Sequence, residues 1–563
     1  NMNYRNGKFN LYSNYSNNIS KNANYGFIDR IDQNTIQYID ILDKRNSNVI
    51  KIGVDFYLNE KNTISVFTNQ NFYEGGTGAS TDIFFGDDTF QNQLIANDGE
   101  NNSQQYNLDY KLDFDKEGQN IEFEIDHNIY NSDSETNNSF SGSASNRPDF
   151  YELTDTARDR TSINLDYIDP LSENSKLEVG LQARLFNNTI DYKSDGRSQN
   201  MLGEYIPSLT YFDYSRDIYS VYANYSKKVD KWNFQVGLRA ESAKVKTLAE
   251  ETNLVTNDVT VTPFDNDYIE IYPSAFVTLQ ASEKNSFQLN YSRRIDRPGI
   301  DQVNPIKEWS TPLVSSFGNL NLQPQFTNSV EFNYTRNIKG GSVTFGTFYR
   351  RISNEINRAL FVDRSDVTSG RLILTHDNFD DSIAYGVELS SSYKPVKWWS
   401  LNASFDLYSR TLTGIAERLG APIETAVVAD IITETNSVDN IPWNFRLYNS
   451  FKVSKKVSLT AFGFYRSRNA NLQFNIKPMY FVNLGSRVSF DKGKGSLSLN
   501  YNDIFNTLKF RFDGTSPYVQ EGEFNWESNT IYLGVTYRFG NSKYSAKSRK
   551  NRSNDEKSGG GFL

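Results

Sequence analysis

The feature that most constrains this chain is an alternation of apolar and polar residues that returns from one end to the other. In 106–114, Tyr106, Leu108, Tyr110, Leu112 and Phe114 alternate with Asn107, Asp109, Lys111 and Asp113. In 496–502, Leu497, Leu499 and Tyr501 alternate with Ser496, Ser498, Asn500 and Asn502. The same rhythm runs through 163–167, 287–291 and 330–334. Successive side chains of a strand point to opposite faces, so each segment makes a ribbon with one apolar and one polar face. A soluble sandwich would carry such ribbons too; the connections separate the two cases.

Those connections are unequal. Short polar turns recur at 5–8, 58–62, 115–119, 171–175, 227–231, 282–286, 336–341, 394–397, 454–456 and 491–495. Between successive turns lie two strands and a stretch on the opposite side that reads as a long loop, for example 74–103, 132–159, 187–215, 295–324 and 411–442. Short turns on one side and long loops on the other mark a transmembrane up-and-down β-barrel, all-β and antiparallel, with the short turns periplasmic and the long loops extracellular. An ascending strand (8–19), nine pairs around the nine later turns and a descending strand (529–539) make about twenty complete strands. Barrels of this kind have even strand numbers and a first strand that rises from the periplasm, so the stub at residues 1–4 predicts one strand missing upstream and about 22 in the intact protein. A barrel of that size has a plugged lumen, in contrast to open porin channels of 16–18 strands.

Composition fits this architecture. The chain of 563 residues is hydrophilic on average, yet it carries 35 Tyr and 39 Phe. A barrel reconciles the two, because only alternate residues meet lipid and the others line a wet interior. No apolar run reaches the roughly 18 residues that would suggest a membrane helix. Trp232, Trp398 and Trp399 stand beside short turns, and Trp443 and Trp526 precede descending strands, where aromatic girdles belong. There is no cysteine, hence no disulfide, thiolate metal site or cysteine nucleophile, and two histidines leave little room for histidine chemistry. The net charge of -9 argues against nucleic acid as a partner. No secretion signal opens the chain, and a processed precursor would have lost it.

Several residues resemble a known family. Tyr291-Ser292-Arg293-Arg294-Ile295-Asp296-Arg297-Pro298, then Asn304-Pro305, Gly318-Asn319 and Leu322-Gln323-Pro324, is similar to a stretch of TonB-dependent receptors, with the outer-membrane β-barrel family protein of the Bacteroidota as the nearest likeness. Gly237-Leu238-Arg239-Ala240-Glu241, Tyr272-Pro273-Ser274, Tyr385-Gly386-Val387-Glu388 and Asn502-Asp503-Ile504-Phe505-Asn506 match in the same order. Leu533 to Phe539 resembles the last-strand signal read by the barrel-assembly machinery. Leu320 and Gln325 depart from the family pattern, and no plug domain is visible. The resemblance implies energised uptake of a scarce solute in the outer membrane, with lipids and lipopolysaccharide around the wall and TonB engaged through an upstream segment.

Candidate chemistry is sparse. His127 continues the outward phase of Ile121, Phe123 and Ile125 and reads as an interfacial side chain. His376, within Thr375–Asp381, reads as part of a solvated turn, as does Phe85-Gly86-Asp87-Asp88; neither has the acidic spacing of a calcium loop. Gly75-Gly76-Thr77-Gly78 reads as a loop tip without the following helix of a phosphate cradle. An outer-membrane enzyme would have to rest on His376, so the expectation is no catalysis, no cofactor and no metal. Ligand contacts are expected in loop 295–324, with Arg297, Lys307, Trp309 and Phe317, and in 506–528, with Lys509, Arg511, Phe512, Tyr518 and Trp526, although the sequence singles out no substrate-binding residue. The barrel is expected over 1–540, followed by a basic, Gly-rich periplasmic tail over 541–563 that is expected to be disordered. Two functions fit these features. One is an uptake receptor. The other is a non-transporting barrel that scaffolds an outer-membrane assembly with surface lipoproteins or secretion components.

Overall fold

The computed structural model describes residues 1–145, 147–199 and 205–540. The basic tail therefore lies outside the described residues, as does the side chain of Trp309. The chain is almost entirely antiparallel strand. It opens with β1 (Met2–Asn6), β2 (Phe9–Arg30), β3 (Thr35–Tyr57), β4 (Asn62–Phe84), β5 (Phe90–Asp113) and β6 (Asn120–Ser141). It continues with β7 (Phe150–Ser172), β8 (Ser175–Gln199), β9 (Tyr205–Val229), β10 (Trp232–Asn253), β11 (Val259–Ser282) and β12 (Asn285–Asp296). Each pairs with the next, from the β1–β2 register to β11–β12.

Short strands β13 (Glu308–Thr311) and β14 (Val314–Ser316) follow, then β15 (Gln325–Ile338), β16 (Gly341–Ser353), β17 (Glu355–Val362), β18 (Leu372–Phe379), β19 (Ser382–Val396) and β20 (Trp399–Leu419). The remainder comprises β21 (Ile431–Asn440), β22 (Trp443–Lys452), β23 (Val457–Arg466), β24 (Asn469–Ala470), β25 (Phe474–Ile476), β26 (Met479–Phe490), β27 (Gly495–Asn502), β28 (Lys509–Gly514), β29 (Gln520–Trp526) and β30 (Thr530–Tyr537). One sheet holds 26 of these strands. Five of them (β21, β24, β25, β28 and β29) lie only at the rim and β1 is a stub, which leaves the twenty crossing strands that the spacing of turns predicts.

The predicted faces hold. Leu108, Leu165, Leu289, Phe332 and Leu499 all point away from the protein, while Asn107, Asn164 and Ser329, in the opposite phase, are buried. The lumen wall is tied together by polar side chains. Asn10 donates to Asp55 at 2.9 Å and Ser65 to the same carboxylate at 2.8 Å; Gln105 and Asn107 both donate to Asp126, at 2.8 and 3.1 Å. Turns on the short side are tight: β9 and β10 are joined by Asp230 and Lys231, with Asp230 at φ +52, the left-handed geometry that matches the twist of a hairpin. Gly180 makes room for the ring of Tyr222 on the next strand, 2.4 Å from where a Cβ would stand.

Two expectations change. Most of the predicted long loops are strand. Residues 74–103 are the upper halves of β4 and β5 with a turn at 85–89, and 132–159, 187–215 and 411–442 likewise extend the hairpins above the membrane. Gly75 lies within β4, opposite Arg45 and Gly99, and is no loop tip. Above the lipid neither face needs to be apolar, so the alternation that reveals a strand is lost while the backbone ladder continues. Of these predicted loops, 295–324 leaves the wall as a true excursion. The second change concerns His376, which sits in β18 opposite Arg358, in regular structure and no turn.

The assignment of faces is testable. Leu499→Arg places a cation on the lipid side, at an expected cost of about 2–4 kcal/mol near the midplane, whereas Asn500→Arg projects into water. The fraction of protein that shows heat-modifiable gel migration should fall for the first and stay near wild type for the second; equal damage would refute the assignment.

Candidate functional site

The excursion after β12 and the one after β16 fold inward and meet. β13, β14, β18 and β17 form a separate four-stranded sheet, antiparallel except for the parallel pairing of β14 with β18. This sheet makes a cap across the extracellular end of the lumen, because it packs on inward-facing residues from widely separated parts of the wall. Val303, Ile306, Leu322 and Ile356 of the excursions join Ile190, Tyr192, Phe212, Tyr214 and Ala249 of β8–β10 in one apolar cluster. On another side Ala359 and Phe379 pack with Leu412 of β20 and with Leu472. Val362 and Val367 pack with Ala426. Each fully buried large apolar side chain in such a cluster contributes about 1.5–3 kcal/mol.

Charged and amide side chains of the wall then grip the cap backbone. Arg30, fully buried at the end of β2, donates to Gly370 O at 2.5 Å and Leu313 O at 3.1 Å and lies 5.4 Å from the Tyr518 ring. Burial pulls its guanidinium down to about 10, which still leaves it charged at neutral pH. Glu417 of β20 accepts from Val362 N at 2.9 Å and from Arg364 at 2.5 Å. Gln473 holds Leu360 from both sides, accepting from its N at 2.7 Å and donating to its O at 2.5 Å. Glu355, wholly buried, accepts from Ser382 at 2.6 Å and pairs with Arg410.

Beneath the root of the cap lies a cavity of about 200 Å³ in the wall of β7–β9. Its lining includes Arg158, Arg160, Arg184, Arg216 and Arg297, together with Phe186 and Asp301. Arg297 is buried, donating through Nε to the Tyr268 hydroxyl at 2.8 Å and through Nη2 to Glu241 at 2.5 Å. Glu241 also accepts from Arg184 at 3.1 Å and Arg239 at 2.6 Å. Arg158 donates to Asn188 at 3.0 Å, and Arg216 reaches Pro298 O at 3.4 Å.

Of the residues the sequence singles out, Arg297 and Tyr518 belong to this machinery. The backbone of Phe317 extends the cap by bonding Leu374 O, and the carbonyl of Lys307 accepts from Arg197. Lys509, Arg511, Phe512 and Trp526 stand instead on the rim hairpin of β28 and β29, where Lys509 pairs with Glu523 at 2.8 Å. His127 keeps its outward phase and bonds Thr161 at 2.9 Å. In the cap, burial and then the nearby Arg358 guanidinium push the His376 imidazole below its ordinary value. Phe85–Asp88 is a turn, with Asp87 accepting from the Thr89 hydroxyl at 2.6 Å. Sequence reasoning missed Arg30, Arg158, Arg160, Arg184, Arg216 and Glu241 as a group. Apart from Glu241, which ends the Gly237–Glu241 motif, their signal is a basic residue in the inward phase, and the register that aligns them is set by strand pairing.

A family model described as outer membrane protein beta-barrel family matches residues 112–537. No curated protein matches the chain by sequence. Among solved structures, the ferric yersiniabactin uptake receptor FyuA from Yersinia pestis is similar at a TM-score of 0.52 and 8% identity, covering 91% of this chain and 80% of that one. The copper transporter OprC is similar at a TM-score of 0.50 and 10% identity, covering 92% and 81%.

Arg30→Ala removes both donors to the cap backbone, and hydrogen bonds from a charged group contribute about 1.5–3 kcal/mol each. Limited proteolysis should then cut within 354–381 several-fold faster while heat-modifiable migration is unchanged. Unaltered protection of that segment would show that Arg30 does not hold the cap.

Proposed function

The chain belongs to the outer membrane protein beta-barrel family, and from that membership we propose that it is an outer-membrane receptor that takes a solute in at its extracellular rim and passes it through its lumen. The observation that carries this reading is the cap. Its strands ladder with one another in a sheet of their own, and the wall holds them through side chains. Such a cap can swing aside by releasing those grips without unzipping the barrel, which is what a gated entrance requires. The polar lumen and the roles of the two similar structures, an uptake receptor and a transporter, support a solute as cargo. We further propose that an upstream strand completes the wall and that an upstream plug links it to TonB. Among the described residues, residues 14–23 of β2 pair only with β3, and β30 pairs only with β27. Unpaired backbone of that kind is costly in hydrocarbon and calls for a partner strand.

A scaffolding role has one observation in its favour. β2–β11 are 22–25 residues long, far more than the roughly 9–11 that cross a bilayer, so half of the wall stands high above the lipid as a surface for surface lipoproteins. Deletion of the gene separates the two roles. Uptake predicts loss of growth on one scarce nutrient, restored by the wild-type protein. Scaffolding predicts normal growth on every nutrient and a stoichiometric partner on purification.

Cap movement has its own test. The chain has no cysteine, so Val367→Cys with Ala426→Cys supplies a single oxidisable pair within the Val362–Val367–Ala426 cluster. Oxidation should abolish solute uptake and a reductant should restore it; full uptake by the crosslinked protein would refute a moving cap.

A further inference from the structure

We propose that the arginine-lined cavity under the cap is a binding site for an oxyanion group, a phosphate or a set of clustered carboxylates, carried by the solute. The inference rests on the uptake reading and names the chemistry of its cargo.

The charge distribution points to an anion. The whole chain is acidic, at -9, yet five guanidiniums line one small cavity and Asp301 is the one carboxylate among its lining residues. Glu241 and Asp126 stand nearby, the second opposite Ser162 and so diagonal to Arg160. Counting both still leaves the arginines in excess. Like charges gathered in a confined space repel one another, and a bound anion relieves that repulsion.

Geometry points the same way. Ser162 pairs with Arg184, Arg160 with Phe186, and Phe186 with Arg216, so neighbouring strands bring these groups to one inward-facing patch. Arg184 and Arg297 are braced by Glu241, which fixes their planes. Arg158 and Arg216 lie against the Phe186 ring, at 6.0 and 5.6 Å, an arrangement that keeps their side chains extended into the cavity. Guanidinium forks match the paired oxygens of carboxylate and phosphate. The cavity volume is about 200 Å³, below the roughly 300–1,000 Å³ of pockets that hold whole small ligands. That is room for an anionic group and too little for an entire drug-sized solute. The group would enter with the remainder of the molecule in the lumen.

The test uses the intact protein purified in detergent, titrated calorimetrically with citrate, pyrophosphate and inorganic phosphate, with glucose as the neutral probe. Citrate or pyrophosphate should bind saturably, glucose should not, and added sodium chloride should weaken the binding. Arg158→Gln with Arg216→Gln, which leaves the Glu241 cluster intact, should weaken it at least tenfold without changing heat-modifiable migration. Arg350→Gln, on the luminal wall at β16, should leave it unchanged. Absence of saturable anion binding, or equal affinity in the double variant, overturns the proposal. Binding that emerges only after an upstream segment is removed would show an internal carboxylate in the cavity and overturns it as well. The titration is independent of growth: an anion site without a nutrient phenotype counts against uptake, and a nutrient phenotype without anion binding counts against this site alone.

Discussion

Hydrocarbon offers no hydrogen bonds, so each backbone amide and carbonyl that crosses the membrane must find its partner within the protein. The rest of this structure follows from that demand. Eighteen of the twenty crossing strands meet it by laddering with a neighbour on each side, β2 and β30 do so along one edge of their membrane-crossing stretch, and the ladders force side chains to alternate between lipid and water. A chain this hydrophilic can therefore be a membrane protein, because the polar half of each strand is hidden in the lumen. There the wall is stitched by Asn, Ser and Asp contacts such as Asn10 with Asp55 and Asn107 with Asp126.

The cap obeys different physics. It sits at the extracellular end of the lumen, where backbone groups can be satisfied by a private four-stranded sheet and by wall side chains. Its attachment combines apolar clusters on β8–β10 and β20 with a few charged grips. Neither component is continuous with the barrel ladder. The contacts that hold the cap are thus separate from the ladder that holds the wall, a division that a barrel with simple surface loops would lack.

How legible this was depends on which force shaped each part. The alternation at Leu497, Leu499 and Tyr501 is imposed by lipid and could be read directly, as could the short turns and the count of crossing strands. The upper halves of β4–β9 could not be read, because water on both sides removes the pattern while pairing persists; residues 96–105, Ala-Asn-Asp-Gly-Glu-Asn-Asn-Ser-Gln-Gln, are strand with no apolar face. His376 differs from its expected turn for a related reason: its polar neighbours suggest solvent, but in the cap its carbonyl accepts from Asn319 and the neighbouring Asn378 donates to Asn354 O. The arginine cavity was illegible because it is a property of register. Arg160, Arg184, Arg216 and Arg297 are scattered over more than a hundred positions; the pairing of β7, β8 and β9 gathers the first three, and the excursion after β12 brings Arg297 to them.

The cavity and the cap share their foundations, and this links capture to gating. β8 and β9 carry Arg184 and Arg216 on the cavity wall and, a few residues higher, Ile190, Phe212 and Tyr214 under the cap. The segment from Arg297 to Asp301 closes the cavity and leads directly into Val303 and Ile306, which anchor the cap's apolar cluster. An anion held by Arg158 and Arg216 would therefore touch the root of the cap itself. A ligand shifts a two-state equilibrium only by its difference in affinity for the two states. Under the proposed site that difference would have a physical source: Asp301 is a carboxylate in the cavity lining that interacts with Arg158, and an incoming anion would compete with it. Occupancy that displaced Asp301 would loosen the cap and occupancy that bridged Arg297 to the wall arginines would tighten it, so the sign of such a coupling would be set by whether the ligand reaches Arg297.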